Sequence, residues 1–114
     1  MSDCIFCRIV SGAVPCKKVM ETESLLAFHD IRPQAPVHVQ IIPKEHIPSV
    51  NAITEKHAAV TAGLIAAAKE IAGKLNLSRD GYRLVINCGR DAGQDVLHLH
   101  LHLLGGRPLG WPPG

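Results

Sequence analysis

Apolar and polar residues alternate from Val96 to Leu104, with Leu97, Leu99, Leu101 and Leu103 at every second position and His98, His100 and His102 between them. A period of two is that of a half-buried β-strand, so the pattern predicts a strand that packs its leucines and presents three imidazoles on its other face. Between Thr54 and Leu75 the spacing changes to three and four, and Val60, Leu64, Ala68, Ile71 and Leu75 form one stripe. This predicts a long helix, capped by Thr54 and ended by Asn76, whose stripe lies against a sheet. Shorter runs predict strands at 17–21, 25–28, 37–42 and 82–87, the first two joined by a polar turn. Within 37–42, His38, Gln40 and Ile42 share the face opposite Val37, Val39 and Ile41. Asp3 is expected to cap a short helix over 4–10, and two prolines make 30–36 an extended loop. Glycine and proline leave 105–114 without a period, as a C-terminal tail. Together the elements predict one α+β domain over 1–114, an antiparallel five-stranded sheet with one long helix on one face and a short N-terminal helix.

The histidine row is the candidate chemistry. Rise along a strand sets successive histidine α-carbons ~6.8 Å apart. Two full charges at that distance repel by roughly 2.4 kcal/mol at an effective dielectric near 20, or about two pKa units. The three rings are therefore not all imidazolium near neutral pH, and partly neutral rings are available as nucleophiles, bases or metal ligands.

Composition narrows the partners. A net charge of +2 on 114 residues gives no reason to expect a nucleic-acid backbone or an anionic membrane as partner. No run approaches 18 apolar residues, and the start of the chain lacks the pattern of an export signal, so a soluble cytoplasmic protein is expected. Its four cysteines are then expected to be reduced, with Cys16 and Cys88 as buried thiols. Cys4 and Cys7 have the spacing of half a zinc site. His29 and His57 are expected at ordinary surface or packing positions.

The segment His98-Leu99-His100-Leu101-His102-Leu103-Leu104 resembles the signature of the histidine triad (HIT) family of nucleotide-binding and nucleotidyl-transferring proteins. Cys4-Ile5-Phe6-Cys7-Arg8-Ile9, Ala27-Phe28-His29-Asp30-Ile31, Pro33-Gln34-Ala35-Pro36-Val37-His38, Ile42-Pro43-Lys44-Glu45-His46-Ile47 and the Gly89 to Gln94 loop are similar to the same family in the same order. The tail, Leu104-Gly105-Gly106-Arg107-Pro108 and Trp111-Pro112-Pro113-Gly114, resembles the branch that hydrolyses purine nucleoside phosphoramidates.

That resemblance implies a HIT-like fold whose sheet continues across a homodimer, and a purine nucleotide substrate of AMP or GMP type. It implies that His100 attacks the α-phosphorus of a nucleoside 5′-phosphoramidate to give a covalent nucleotidyl-histidine, which water then hydrolyses. His102 would donate to the phosphoryl oxygens, His38 would hold the attacking ring in its tautomer, and His98 would anchor the row. Asp30 would take the ribose hydroxyls. Ile5, Phe6, Ile9, Phe28 and Ile31 would form the base slot, and Asn87, Gly93 and Gln94 would lie beside the phosphate. Asp95 stands where the family often has a serine; a carboxylate there repels phosphate unless protonated or turned away, so the resemblance carries over its backbone, and the side chain suits a cationic leaving group instead. Trp111 would reach the partner's active site. No cofactor is implied for catalysis, but in some members a structural zinc is held by residues corresponding to Cys4, Cys7, His46 and His98. Two other readings stay open on the residues alone: a metal-dependent hydrolase using the histidine row as ligands, and a nucleotide-binding module without turnover. The first and third histidines, ~13 Å apart on a strand, are too distant to share one ion.

Overall fold

Among the described residues, five strands pair antiparallel throughout: β1 (Lys18–Glu21), β2 (Leu25–His29), β3 (Val37–Pro43), β4 (Tyr82–Val85) and β5 (Leu101–Gly105), in the order β1-β2-β3-β5-β4. The structure is a computed structural model that describes residues 3–114; Met1 and Ser2, the start of the stretch read for an export signal, lie outside them. The short helix α1 (Ile5–Val10) and the long helix α2 (Ala58–Lys74) complete the predicted α+β architecture. No helix of the described residues is long and apolar enough to cross a membrane.

The two faces of the sheet bury different cores. On one face Val39 and Ile41 of β3, Leu101 and Leu103 of β5 and the preceding Leu99 pack with Leu64, Ala68 and Ile71 of α2. Across the sheet, Phe6 of α1 packs with Leu26, Phe28 and Ile42 in a smaller cluster. The predicted alternation within β3 thus holds, with His38 and Gln40 on the face of the smaller cluster.

The ends of α2 explain its boundaries. Its entry is a 3-10 turn, Glu55–His57, and the Thr54 amide donates to Nδ1 of His57 at 2.9 Å, closing a capping box with the Thr54 side chain. His57 is therefore a buried cap rather than an ordinary packing residue, and its Nε2 lies 3.3 Å from Glu45 Oε2. At the other end Asn76 takes a left-handed φ of 61°, and the amide of Leu77 donates to the Ala72 carbonyl at 2.8 Å, a Schellman ending.

Five expectations are corrected. The cap of α1 is Cys4, whose Sγ accepts from the Cys7 amide, and not Asp3. Cys16 and Cys88 are half-buried thiols rather than buried ones. The histidine strand is shorter than 96–104, since only Leu101–Gly105 belongs to the ladder. Pairing with β3 stops at Ile41 and Leu101 because the chain ahead of Leu101 turns away from β3, the amide of Leu99 donating instead to the Ile47 carbonyl at 2.6 Å. Leu97, expected in the core, is 68% exposed. Finally, the tail begins one residue late: Gly105 closes β5, where a Cβ would come within 2.8 Å of Leu77, so glycine permits the close approach.

Candidate active site

Although 98–100 lies outside the ladder, the alternation of faces persists through it. Leu99 joins the α2 core, while His98 and His100 turn toward α1, where the edge of the ring stack at Phe6 meets them at centroid distances of 5.8 and 5.2 Å. The imidazole face is therefore not an open surface: α1 covers it, and His98 and His100 are fully buried.

Hydrogen bonds fix which nitrogen of each ring carries a proton. Nδ1 of His100 lies 2.7 Å from the His98 carbonyl. A carbonyl only accepts, so Nδ1 donates and, in the neutral ring, Nε2 keeps a lone pair. The ring partner expected to hold His100 was His38; the backbone of His98 does so instead. His38 is paired with His102. The Gln34 amide donates to His38 Nδ1 at 3.0 Å, so the neutral ring carries its proton on Nε2, which lies 2.9 Å from Nδ1 of His102. That leaves His102 with its remaining proton on Nε2, as a donor.

Burial disfavours the charged forms of His38, His98 and His102. It pushes His102 down to about 4, with repulsion from His100 and His38 adding to the effect and Asp30 and Asp95 opposing it. Burial also lowers His38, against the attraction of Asp30, and lowers His98.

Around the imidazoles, Asp30 Oδ2 lies 3.4 Å from His38 Nε2 and accepts from the Gln40 amide at 2.6 Å. Gln40 escaped the sequence reading; its signal was its place on the face of His38, and in the sheet it stands directly opposite His102. Its Oε1 is buried without a partner in the described structure. Asp95 Oδ1 is 3.8 Å from His100 Nε2, on a side chain that is 82% exposed.

The remaining predicted residues divide. Phe6 and Phe28 meet edge to face at 5.6 Å, with Ile9 packed against their cluster, whereas Ile31 stands 93% exposed. The side chain of Gln94 is engaged within its loop: its Oε1 accepts from Gly89 and its Nε2 donates to the carbonyls of Pro48 and Val96, which pins the loop. Gly93 ends a 3-10 turn in that loop, and Asn87 is half-buried. Trp111 does not reach the imidazoles of its own chain. It is largely exposed, and Arg83 of β4 lies over its ring at 5.9 Å and donates to the Gly110 carbonyl.

A second cluster joins Cys4, Cys7, His46 and His98. His98 Nε2 lies 2.8 Å from the Pro43 carbonyl and so donates, leaving Nδ1 bare. That Nδ1 is 3.3 Å from Cys4 Sγ, 3.6 Å from Cys7 Sγ and 3.2 Å from His46 Nδ1, while Cys7 Sγ is 3.2 Å from His46 Nδ1. Ligand bonds of ~2.0–2.3 Å at tetrahedral angles require edges of roughly 3.3–3.8 Å. The four donors thus fit a closed tetrahedral site, with the carbonyl behind His98 as its outer-shell partner. Asp30, His38 and His102 also converge, within 4.8 Å. The histidine row therefore faces two separate clusters and does not converge on one ion.

The HIT domain family matches residues 11–109. A HIT-like protein of Synechocystis sp. is 49% identical over 98% of this chain and 97% of its own length. The purine nucleoside phosphoramidase of Escherichia coli K12 is 44% identical over 93% of this chain and 89% of its own. Among solved structures, a HIT family hydrolase from Legionella pneumophila superimposes with a TM-score of 0.97 at 48% identity, covering 98% of this chain and all of that one. A histidine triad protein from Clostridium difficile gives 0.93 at 39% identity, covering 96% of each.

The depressed pKa of His102 makes stability depend on pH. Below about 6.5 the unfolded ring takes up a proton that the folded ring refuses until about 4, so stability falls as pH drops through that interval. Denaturant unfolding at pH 5 is expected to give about 2 kcal/mol less stability from this group than at pH 7, and His102→Gln should flatten the difference.

Proposed function

Because this chain belongs to the HIT domain family, we propose that it is a hydrolase of purine nucleoside 5′-phosphoramidates that works through a nucleotidyl-histidine at His100. The observation that carries this reading is the hydrogen bond from His100 Nδ1 to the His98 carbonyl, which leaves the Nε2 lone pair free to attack. The 44% identity to the Escherichia coli purine nucleoside phosphoramidase supports the substrate class.

In the first step the Nε2 lone pair forms a bond to phosphorus while the phosphorus–nitrogen bond breaks, and the amine departs with a proton taken from solvent. Water then attacks phosphorus, the bond to Nε2 breaks and returns its electron pair to the ring, and the water proton is released. His102, held as an Nε2 donor by His38, faces the oxygens on which charge develops. Asp30 accepts from the ribose hydroxyls, and Gln40, its hydrogen-bond neighbour with an unpartnered buried oxygen, is added as a second acceptor. Phe6, Phe28 and Ile9 wall the base, with Ile5 at the rim and the exposed Ile31 as an outer contact. Asn87 and the backbone of Gly93 to Asp95 border the phosphate. His100→Ala should lower turnover of adenosine phosphoramidate by roughly 10³-fold or more and abolish the nucleotidyl adduct that mass spectrometry of quenched wild-type enzyme detects. Wild-type levels of both in the variant would refute the assignment.

Cys4, Cys7, His46 and His98 are proposed to hold a structural zinc, supported by the donor spacing and the bare Nδ1 of His98. Bound there, the metal would staple α1 to the histidine row; catalysis needs no cofactor. The reduced cysteine pair this requires suits a cytoplasmic location. Protein purified without chelator should contain about one zinc per chain and lose it in Cys7→Ala with a fall in melting temperature; a metal-free wild type with both thiols titratable would exclude it.

A homodimer is proposed from the same family membership, with Trp111 contributing to the partner's site. Its support is the exposure of a tryptophan held at the outer strand β4. Light scattering is expected to give twice the chain mass of 12.3 kDa, and a monomer at micromolar concentration would contradict it.

A further inference from the structure

We infer that Arg107, in the C-terminal tail, is a positioning residue that decides which way the hydrogen bond between His38 and His102 runs; its catalytic consequence rests on the phosphoramidate hydrolysis proposed above.

The sequence of the loop ahead of β3 explains why it needs an anchor from outside. Residues 33–36 read Pro-Gln-Ala-Pro, and proline has no amide hydrogen, so the stretch has two backbone donors in four residues. One of them, the Gln34 amide, is spent on Nδ1 of His38 at 3.0 Å. Val37 pairs with Gly105 across the sheet, so the residues after Gly105 run on beside this loop. Gly106 meets it first. Its φ is 93° and a Cβ there would come within 2.9 Å of Pro36, so the close approach requires glycine. Arg107 then donates through Nη2 to the Gln34 carbonyl at 2.8 Å, and through Nη1 to the adjacent Pro108 carbonyl at 3.0 Å, which steadies the guanidinium fork.

From Gln34 the constraint passes to the phosphate side of the site through two rings. With an amide hydrogen facing its Nδ1, a neutral His38 carries its proton on Nε2, 2.9 Å from Nδ1 of His102, and His102 then carries its own on Nε2. The pair has a second arrangement. Once the Gln34 amide moves off, His38 can exchange with solvent to carry its proton on Nδ1, and its Nε2 accepts from His102 Nδ1. His102 is then left with a lone pair on Nε2. Both arrangements make the same bond between the rings, but only the first turns a donor toward phosphoryl oxygens. Asp30 Oδ2, 3.4 Å from His38 Nε2, favours the first as well. Removing Arg107 therefore shifts the balance without reversing it.

Nitrogen NMR of protein labelled at its histidine rings reads these tautomers at neutral pH without substrate. Arg107 is exposed, so its replacement opens no cavity. Wild type is expected to show both His38 and His102 protonated on Nε2. Arg107→Ala should move both Nε2 resonances toward the unprotonated position and lower kcat for adenosine phosphoramidate about fivefold, with KM changing less than about twofold. Arg107→Lys keeps a charged donor and should recover part of both effects. A tail that is merely loosened would leave the tautomers where they are, so unchanged His38 and His102 resonances in Arg107→Ala overturn the inference whatever kcat does. Shifted resonances with an unchanged kcat overturn its part in catalysis. A wild type that cleaves no phosphoramidate removes the proposed function, while the tautomer comparison still decides the role of Arg107.

Discussion

The hydrogen bond from His100 Nδ1 to the carbonyl of His98 exists because the sheet lets go of the chain at that point. Within a ladder, the carbonyl of a residue is committed to a neighbouring strand or turned along the pairing direction. Ahead of Leu101 the pairing with β3 has stopped, and Leu99 donates to Ile47 instead. The His98 carbonyl is then available to a ring two residues on. The tautomer of His100, and with it the position of its lone pair, follows from where β5 begins.

The same departure from the ladder allows the rings to be buried. Histidines on an exposed sheet face would remain solvated and titrate near their ordinary value. Here α1 lies over them, with Phe6 touching both His98 and His100, and desolvation disfavours the charged form of His98. Mutual repulsion, which alone disfavours three charges in a row, is thereby reinforced by burial. Nδ1 of His100, Nε2 of His98 and both nitrogens of His38 have partners of complementary type, as a low-dielectric interior demands.

Period and punctuation made much of this legible in advance. The five strands, the two helices and the opposite faces of β3 follow from alternation, helical spacing and the prolines and glycines between them. What could not be read were decisions made by non-local hydrogen bonds. Leu97 fits the strand period yet is exposed, since the period describes side-chain direction and not whether anything lies on that side. The resemblance places Gln94 beside the phosphate but does not tell that its side-chain amide is bonded to Gly89, Pro48 and Val96. His57 gave no sign of capping α2, because the capping box usually has Glu or Gln at that position. Gln40 shares a face of β3 with His38, and that shared face is the signal the sequence carries for it.

His98 serves two masters through chemically separate parts. Its ring faces Cys4, Cys7 and His46, while its peptide carbonyl, which every amino acid shares, orients His100. Side-chain replacement edits the first role and leaves the second in place so long as the backbone keeps its path. For the orientation of His100, the path of the backbone at this position is thus a stricter constraint than the side chain it carries.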